Sequence, residues 1–149
     1  QTIQPLVSYN YGSGRKDRVN KFLTLGLIFN ISYALIVIII FLTKSDIIIE
    51  LFNKDNDKLR LLTSQNILKY FSATIFTGIN VVIATYIQAQ GQGKASSVIM
   101  FFRAFLLMVI GVIVLSKFFG IDGVWYTTLF SEVVTFIGLM IWMKLYKKN

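Results

Sequence analysis

The sequence predicts an all-α protein, a polytopic transmembrane helical bundle, and three observations carry the prediction. Apolar residues make up 55% of the 149 residues and charged residues only 15%. The charges are gathered between long blocks that lack them. Four of those blocks, 22–43, 70–90, 95–116 and 123–143, reach or nearly reach the length of about 20 apolar residues that crosses a hydrocarbon core of about 30 Å. A water-soluble globule of this size cannot hide four such helices.

Residues 1–12 read as the end of a helix. They run into the turn Gly12-Ser13-Gly14 and then into Arg15, Lys16, Arg18 and Lys21, four cations within seven residues. The charge-free run 22–43 follows at once, so this corner is where the chain leaves a bilayer and re-enters it. Polar Gln1, Gln4, Ser8 and Tyr11 share one helical face here, and Pro5 frees a backbone carbonyl one turn earlier. A broken helix facing a cavity is a recurrent transporter device. In 22–43 the shorter stripe Gly26, Asn30, Tyr33 reads as helix packing.

The connection 44–60 is the one long loop. Its apolar stretch 47–52, with Glu50 inserted, reads as a short helix along the membrane surface, and 53–57 as a polar turn that caps the next helix. Counting about 20 residues back from Gly91 starts the hydrocarbon core near Phe71, so Lys69 is expected to snorkel outward.

Block 70–90 has the clearest polar stripe. Asn66, Tyr70, Ala73, Thr77, Asn80 or Val81, Ala84, Gln88 and Gly91 recur at steps of three and four, while Val82 falls on the opposite face. Polar groups inside lipid are costly and turn toward the bundle or a watery cavity. Two readings stand: packing through small residues, or a lining for substrate or ion at Gln1, Gln4, Ser8, Tyr70, Ala73, Thr77, Asn80, Ala84 and Gln88.

The glycines of Gln90-Gly91-Gln92-Gly93-Lys94 stop the helix and suit a tight hairpin. As a phosphate loop the segment is poor, with no strand before it and the wrong glycine spacing. Two ionised residues then interrupt apolar blocks. Arg103 lies nine residues past Lys94 and Glu132 twelve before Lys144, which puts both about 14–18 Å above the same end at 1.5 Å per residue. Equal depth on adjacent antiparallel helices lets them meet, either as a buried ion pair that locks two helices or with Glu132 as a proton or cation site. A neighbouring cation opposes protonation of a carboxylate, which favours the lock.

Because the crossings alternate, Arg15, Lys16, Arg18, Lys21, Lys94, Lys144, Lys147 and Lys148 share one side, eight cations against Asp17. The other side has five, Lys44, Lys54, Lys58, Arg60 and Lys117. The richer side is therefore expected to be cytoplasmic. Tyr9, Tyr11, Trp142 and Tyr146 then fall at the inner interface, and Trp125 and Tyr126 at the outer one. The formal charge of +8 flanks apolar blocks instead of forming one patch, which argues against a nucleic-acid partner. With no cysteine and no histidine, disulfides and a soft-metal site have no residues to build them. Nucleophile, base and acid converge nowhere, so an enzyme is not expected.

The corner Gln4-Pro5-Leu6-Val7-Ser8-Tyr9-Asn10-Tyr11-Gly12 with its basic loop, the external segment 44–60, and the run Phe119-Gly120-Ile121-Asp122-Gly123-Val124-Trp125 resemble the multidrug and toxin extrusion (MATE) transporters. Where that family often has a proline before its acidic residue, this chain has Leu129. The resemblance implies that residues 1–149 are the last part of the second lobe of a twelve-helix transporter, beginning at the end of its eighth helix, with the remainder preceding this chain. Block 70–90 would be the tenth helix, which borders the central cavity. Arg103 and Glu132 also match an Arg and a Glu on the family's eleventh and twelfth helices. The implied activity is secondary active antiport of organic cations and amphipathic drugs against protons or sodium by alternating access. It would be performed by a monomer in the bilayer of a bacterial inner (plasma) membrane, with no cofactor beyond the coupling H+ or Na+. Sodium-coupled members carry acidic residues on the seventh and tenth helices. None stands between Tyr70 and Gln90, so the coupling carboxylates lie elsewhere or Asn80 and Thr77 supply neutral ligands. Two rivals remain: a lipid-linked oligosaccharide flippase of the same superfamily, and a non-transporting scaffold subunit.

Overall fold

The computed structural model describes residues 3–52 and 57–146. Gln1, Lys147 and Lys148, and most of the turn 53–57, lie outside those residues. Every described element is helical: α1 (Ile3–Gly12), α2 (Lys16–Phe52), α3 (Asp57–Phe71), α4 (Thr74–Ala89), α5 (Gly93–Phe101), a π-helical segment (Phe102–Leu106), α6 (Leu107–Phe119) and α7 (Ile121–Tyr146). Four stretches are long and apolar enough to cross a membrane, Lys16–Ser45, Asp57–Ala89, Gly93–Phe119 and Ile121–Leu145. Each overruns its apolar block at one end or both, because lipid selects for apolar side chains only in its core, whereas the hydrogen-bonded helix continues into the polar interface.

Three irregularities were invisible in the blocks. α2 continues through 45–52 as helix, and the separate surface helix expected at 47–52 is instead joined to α2 across a kink at Lys44 (φ −130°, ψ 15°). Between α3 and α4 the helix breaks at Ser72–Ala73, and side-chain competition explains it. The Ser72 hydroxyl donates to the Lys69 carbonyl at 2.6 Å, the acceptor that the Ala73 N–H would use in a regular helix. That N–H turns to the Tyr70 carbonyl at 3.3 Å, a tighter turn that ends the helix. The third irregularity is the π segment itself.

The core lies between α1, α2, α4 and α7, around Val7, Val19, Ile83, Tyr86, Ile87 and Leu139. α4 is covered on more than one side. Its Gly78 lets Asn30 of α2 approach so closely that an added Cβ would stand 3.3 Å from the Asn30 side chain, while Phe76 meets Phe136 of α7 edge-on with ring centroids 5.6 Å apart. Val82, expected on the face opposite the polar stripe, is 5% exposed and packs toward Gly26 of α2. α6 and α7 form a close hairpin turned by Gly120 (φ +60°). A Cβ on Gly111 would lie 2.8 Å from the Thr127 methyl, and one on Gly123 would run into the Leu115 carbonyl. By contrast α2 and α6 present exposed Leu25, Ile28, Phe29, Ile36, Ile113 and Phe118, the surface of a helix that faces lipid.

Candidate functional site

The sequence-predicted positions that the structure describes differ in burial. Tyr70, Ser8 and Gln88 are exposed, Gln4 and Thr77 are half-buried, and Ala73, Asn80 and Ala84 are buried. Ser8 Oγ donates to the Ala89 carbonyl at 3.1 Å, tying α1 to the end of α4. The Ala84 carbonyl accepts Ser96 Oγ at 2.8 Å, tying α4 to α5. Thr77 Oγ1 turns back to the Ala73 carbonyl of its own helix. Gly26, Asn30 and Tyr33 divide likewise: Gly26 is buried, and Tyr33 is exposed.

The charged residues of the apolar blocks come together at mid-bundle. Arg103 Nε and Nη2 both reach Glu132 Oε1 at 2.8 Å. The other carboxylate oxygen, Oε2, accepts Asn80 Nδ2 at 2.7 Å, and the same amide donates to the Glu132 carbonyl at 2.8 Å. Glu132 is 4% exposed and Asn80 fully buried. One carboxylate thus joins α4, the π segment and α7. Charge-assisted bonds to both of its oxygens offset part of the cost of taking a carboxylate out of water.

The π segment positions the guanidinium. Widening the helix to an i→i+5 pattern inserts one extra residue per turn and redirects the backbone groups around it. The Leu107 N–H bonds to the Phe102 carbonyl in that pattern. The Arg103 carbonyl accepts Ser131 Oγ at 2.7 Å. Ser131 precedes Glu132 on α7, so neighbouring α7 residues grip the backbone and the side chain of Arg103 at once. Arg103 Nη1 also lies 3.6 Å from Met100 Sδ. Asn80 Oδ1 is buried without a hydrogen-bond partner, next to the only carboxylate buried among the described residues.

Sequence reasoning left Asn80 between packing and lining and missed its partner. The signal was available: Asn80 stands eleven residues before Gly91, about 16 Å along the axis, the same depth as Arg103 and Glu132. A second pair was also missed. Lys69 does not simply reach outward; its Nζ is 2.7 Å from Asp122 Oδ1 and 2.7 Å from Asn66 Oδ1, with the Tyr126 ring 5.6 Å away. Among the described residues no group of three potential metal-binding side chains converges.

Comparison with known proteins gives one match of consequence: the model of the MatE family covers residues 2–113. That span takes in α1 to α5, the π segment and the first half of α6, hence Asn80 and Arg103. No curated protein and no solved structure matches the chain.

Proposed function

The chain belongs to the MatE family of membrane transporters, and from that premise we propose that it is part of a secondary active antiporter that exports organic cations and amphipathic drugs in exchange for protons or sodium. The observation that carries this reading is the interior polarity. Neutral polar residues on α1, the end of α3 and α4, with Gln4, Ser8, Tyr70, Thr77 and Gln88 accessible or half-accessible, share the bundle with one buried charged cluster, whose carboxylate is paired with Arg103. A neutral strip admits a cationic amphiphile that a basic lining would repel. Alternating access then needs two lobes rocking about a midplane site. An inward cation at 100 mV supplies about 2.3 kcal/mol per net charge moved, enough for a tens-fold gradient of a neutral amphiphile; one-for-one exchange against a monovalent organic cation moves no net charge and draws on the ion's concentration gradient alone.

In this reading Glu132 and Asn80 hold α4, the π segment and α7 in register beside the substrate path. The coupling ion is H+ or Na+, and the orientation puts the α1–α2 corner in the cytoplasm.

The test uses the full-length protein in liposomes. Efflux of a cationic dye driven by an imposed proton or sodium gradient is the expected result, and the gradient that works identifies the ion. Dye movement blocked by lipid-linked oligosaccharide would favour the flippase, and no movement by the purified protein alone would favour a scaffold. A single cysteine at Ser13 should react with an impermeant thiol reagent from the cytoplasmic face only. Labelling from outside would reverse the orientation.

A further inference from the structure

The end of the bundle where the α1–α2 corner, the α4–α5 turn and the close of α7 meet contains a cavity that the transport reading does not use. It measures about 470 Å³ and is lined among others by Lys16, Asn20, Tyr86, Gln90, Gln92 and Trp142. That is within the range of small-molecule sites, about 300–1,000 Å³. Its walls are fixed. Tyr86 donates its hydroxyl to Asn20 Oδ1 at 3.1 Å, joining α4 to α2, and Gln90 Nε2 lies 3.4 Å from the Tyr86 carbonyl.

Three features define what it would take. Among the described residues Lys16 is the only cation in the lining, and it is the first residue of the 37-residue helix α2, whose positive dipole end favours an anion. Around the mouth the field has one sign. Among the described residues this end carries six cations, Arg15, Lys16, Arg18, Lys21, Lys94 and Lys144, against Asp17, whereas the opposite end sets five cations against four carboxylates. Finally, Trp142 and Tyr86 give apolar walls with polar edges, the type of residue that settles at headgroup depth.

We propose that this cavity binds the phosphodiester headgroup of an anionic lipid from the leaflet at the basic end, with Lys16 paired to the phosphate and the amide side chains of Asn20 and Gln90 beside the glycerol oxygens. A zwitterionic headgroup is disfavoured, since its ammonium enters a field of like sign. The proposal concerns a lipid site on the transporter, separate from the drug path, and it holds whichever ion drives transport.

The experiment is native mass spectrometry of the full-length protein in detergent, with phosphatidylglycerol and phosphatidylethanolamine supplied together. Wild type should retain phosphatidylglycerol preferentially. Lys16→Gln should lower that retention about fivefold, the worth of one basic residue at an anionic surface, while Lys16→Arg retains it. Lys144→Gln removes the same charge from the same end but outside the cavity and should change retention little. Equal retention by wild type and Lys16→Gln overturns the proposal. So does equal loss in Lys16→Gln and Lys144→Gln, which would mean a diffuse field and no site. Displacement of the lipid by inorganic phosphate would overturn the lipid assignment in favour of a free phosphate.

Discussion

Two ion pairs end on the same helix, ten residues apart and about 15 Å along its axis, and they are almost identical in length. Arg103–Glu132 closes at 2.8 Å and Lys69–Asp122 at 2.7 Å. Their surroundings differ. The side chains of the first pair are 16% and 6% exposed, those of the second 25% and 53%. Each ties α7 to another part of the bundle, the first to α4 and the π segment, the second to α3. Distance therefore says nothing about what each pair does. In low dielectric the cost of an unpartnered charge dominates, whereas near the surface water and salt screen what is gained. The inner pair is a constraint on the fold; the outer one is an adjustable tether.

The sharpest way to break this comparison is to halve the inner pair. Arg103→Met or Glu132→Gln alone strands a partner in the bundle, and such a loss typically costs about 3–5 kcal/mol. Both variants of the full-length protein should show a lowered melting temperature and reduced membrane abundance. The double variant should recover much of both, because a neutral pair needs no desolvation of charge. Dye efflux on the same four proteins distinguishes the roles: recovered abundance with recovered efflux marks a structural pair, and abundance without efflux makes Glu132 a participant in transport. Unchanged abundance in both singles would contradict the geometry.

Asn80 sharpens the same comparison at a smaller scale. Asn80→Leu removes the donor to Glu132 Oε2 and to the Glu132 carbonyl but leaves the guanidinium in place. Hydrogen bonds to charged groups are worth about 1.5–3 kcal/mol, and removal of the orphan Oδ1 returns part of that. The expected loss is thus smaller than for either charged residue, measurable as a lesser shift in melting temperature. A loss equal to that of Glu132→Gln would mean that Asn80, and not Arg103, is what makes the buried carboxylate tolerable.

What was legible in the sequence follows the same division between bulk and local forces. The spans were legible because twenty uncharged residues admit few other readings, and the inner pair because depth can be counted at 1.5 Å per residue. The kink at Lys44, the break at Ser72 and the π segment were not. Each turns on which of two acceptors or turn widths wins by about 1 kcal/mol, and block composition does not register that. The polar stripe through α3 and α4 was ambiguous for a different reason. Small and polar residues line cavities and also admit neighbouring helices; at Asn80 and Ala84 the contacts are with α7 and α5. Val82 does lie on a different face from Asn80, but that face packs against Gly26 of α2, so α4 is covered on both.

The outer pair supplies the smallest effect and the finest discrimination, provided that the right partner is removed. Asp122 is the clean probe. Asp122→Asn keeps a polar residue in the first turn of α7 and leaves Lys69 bonded to Asn66 Oδ1, so the loss is confined to two screened terms, the ion pair and the carboxylate's place at the α7 N-terminus, about 1 kcal/mol together. Lys69→Met is not equivalent. Asn66 is 3% exposed, its amide nitrogen already donates to the Leu62 carbonyl, and its Oδ1 would lose Lys69 as its donor. A buried acceptor without a donor costs about 1–3 kcal/mol, so Lys69→Met should exceed Asp122→Asn despite removing the same pair. Salt separates the two contributions. Raising ionic strength shortens the screening length from about 10 Å at 0.1 M to about 3 Å at 1 M, which should shrink the Asp122→Asn difference toward zero while the Lys69→Met difference persists. The measurement is melting temperature of the full-length protein at low and high salt. Equal, salt-sensitive losses in both variants would show that Asn66 has no stake in the contact and that the tether is purely electrostatic.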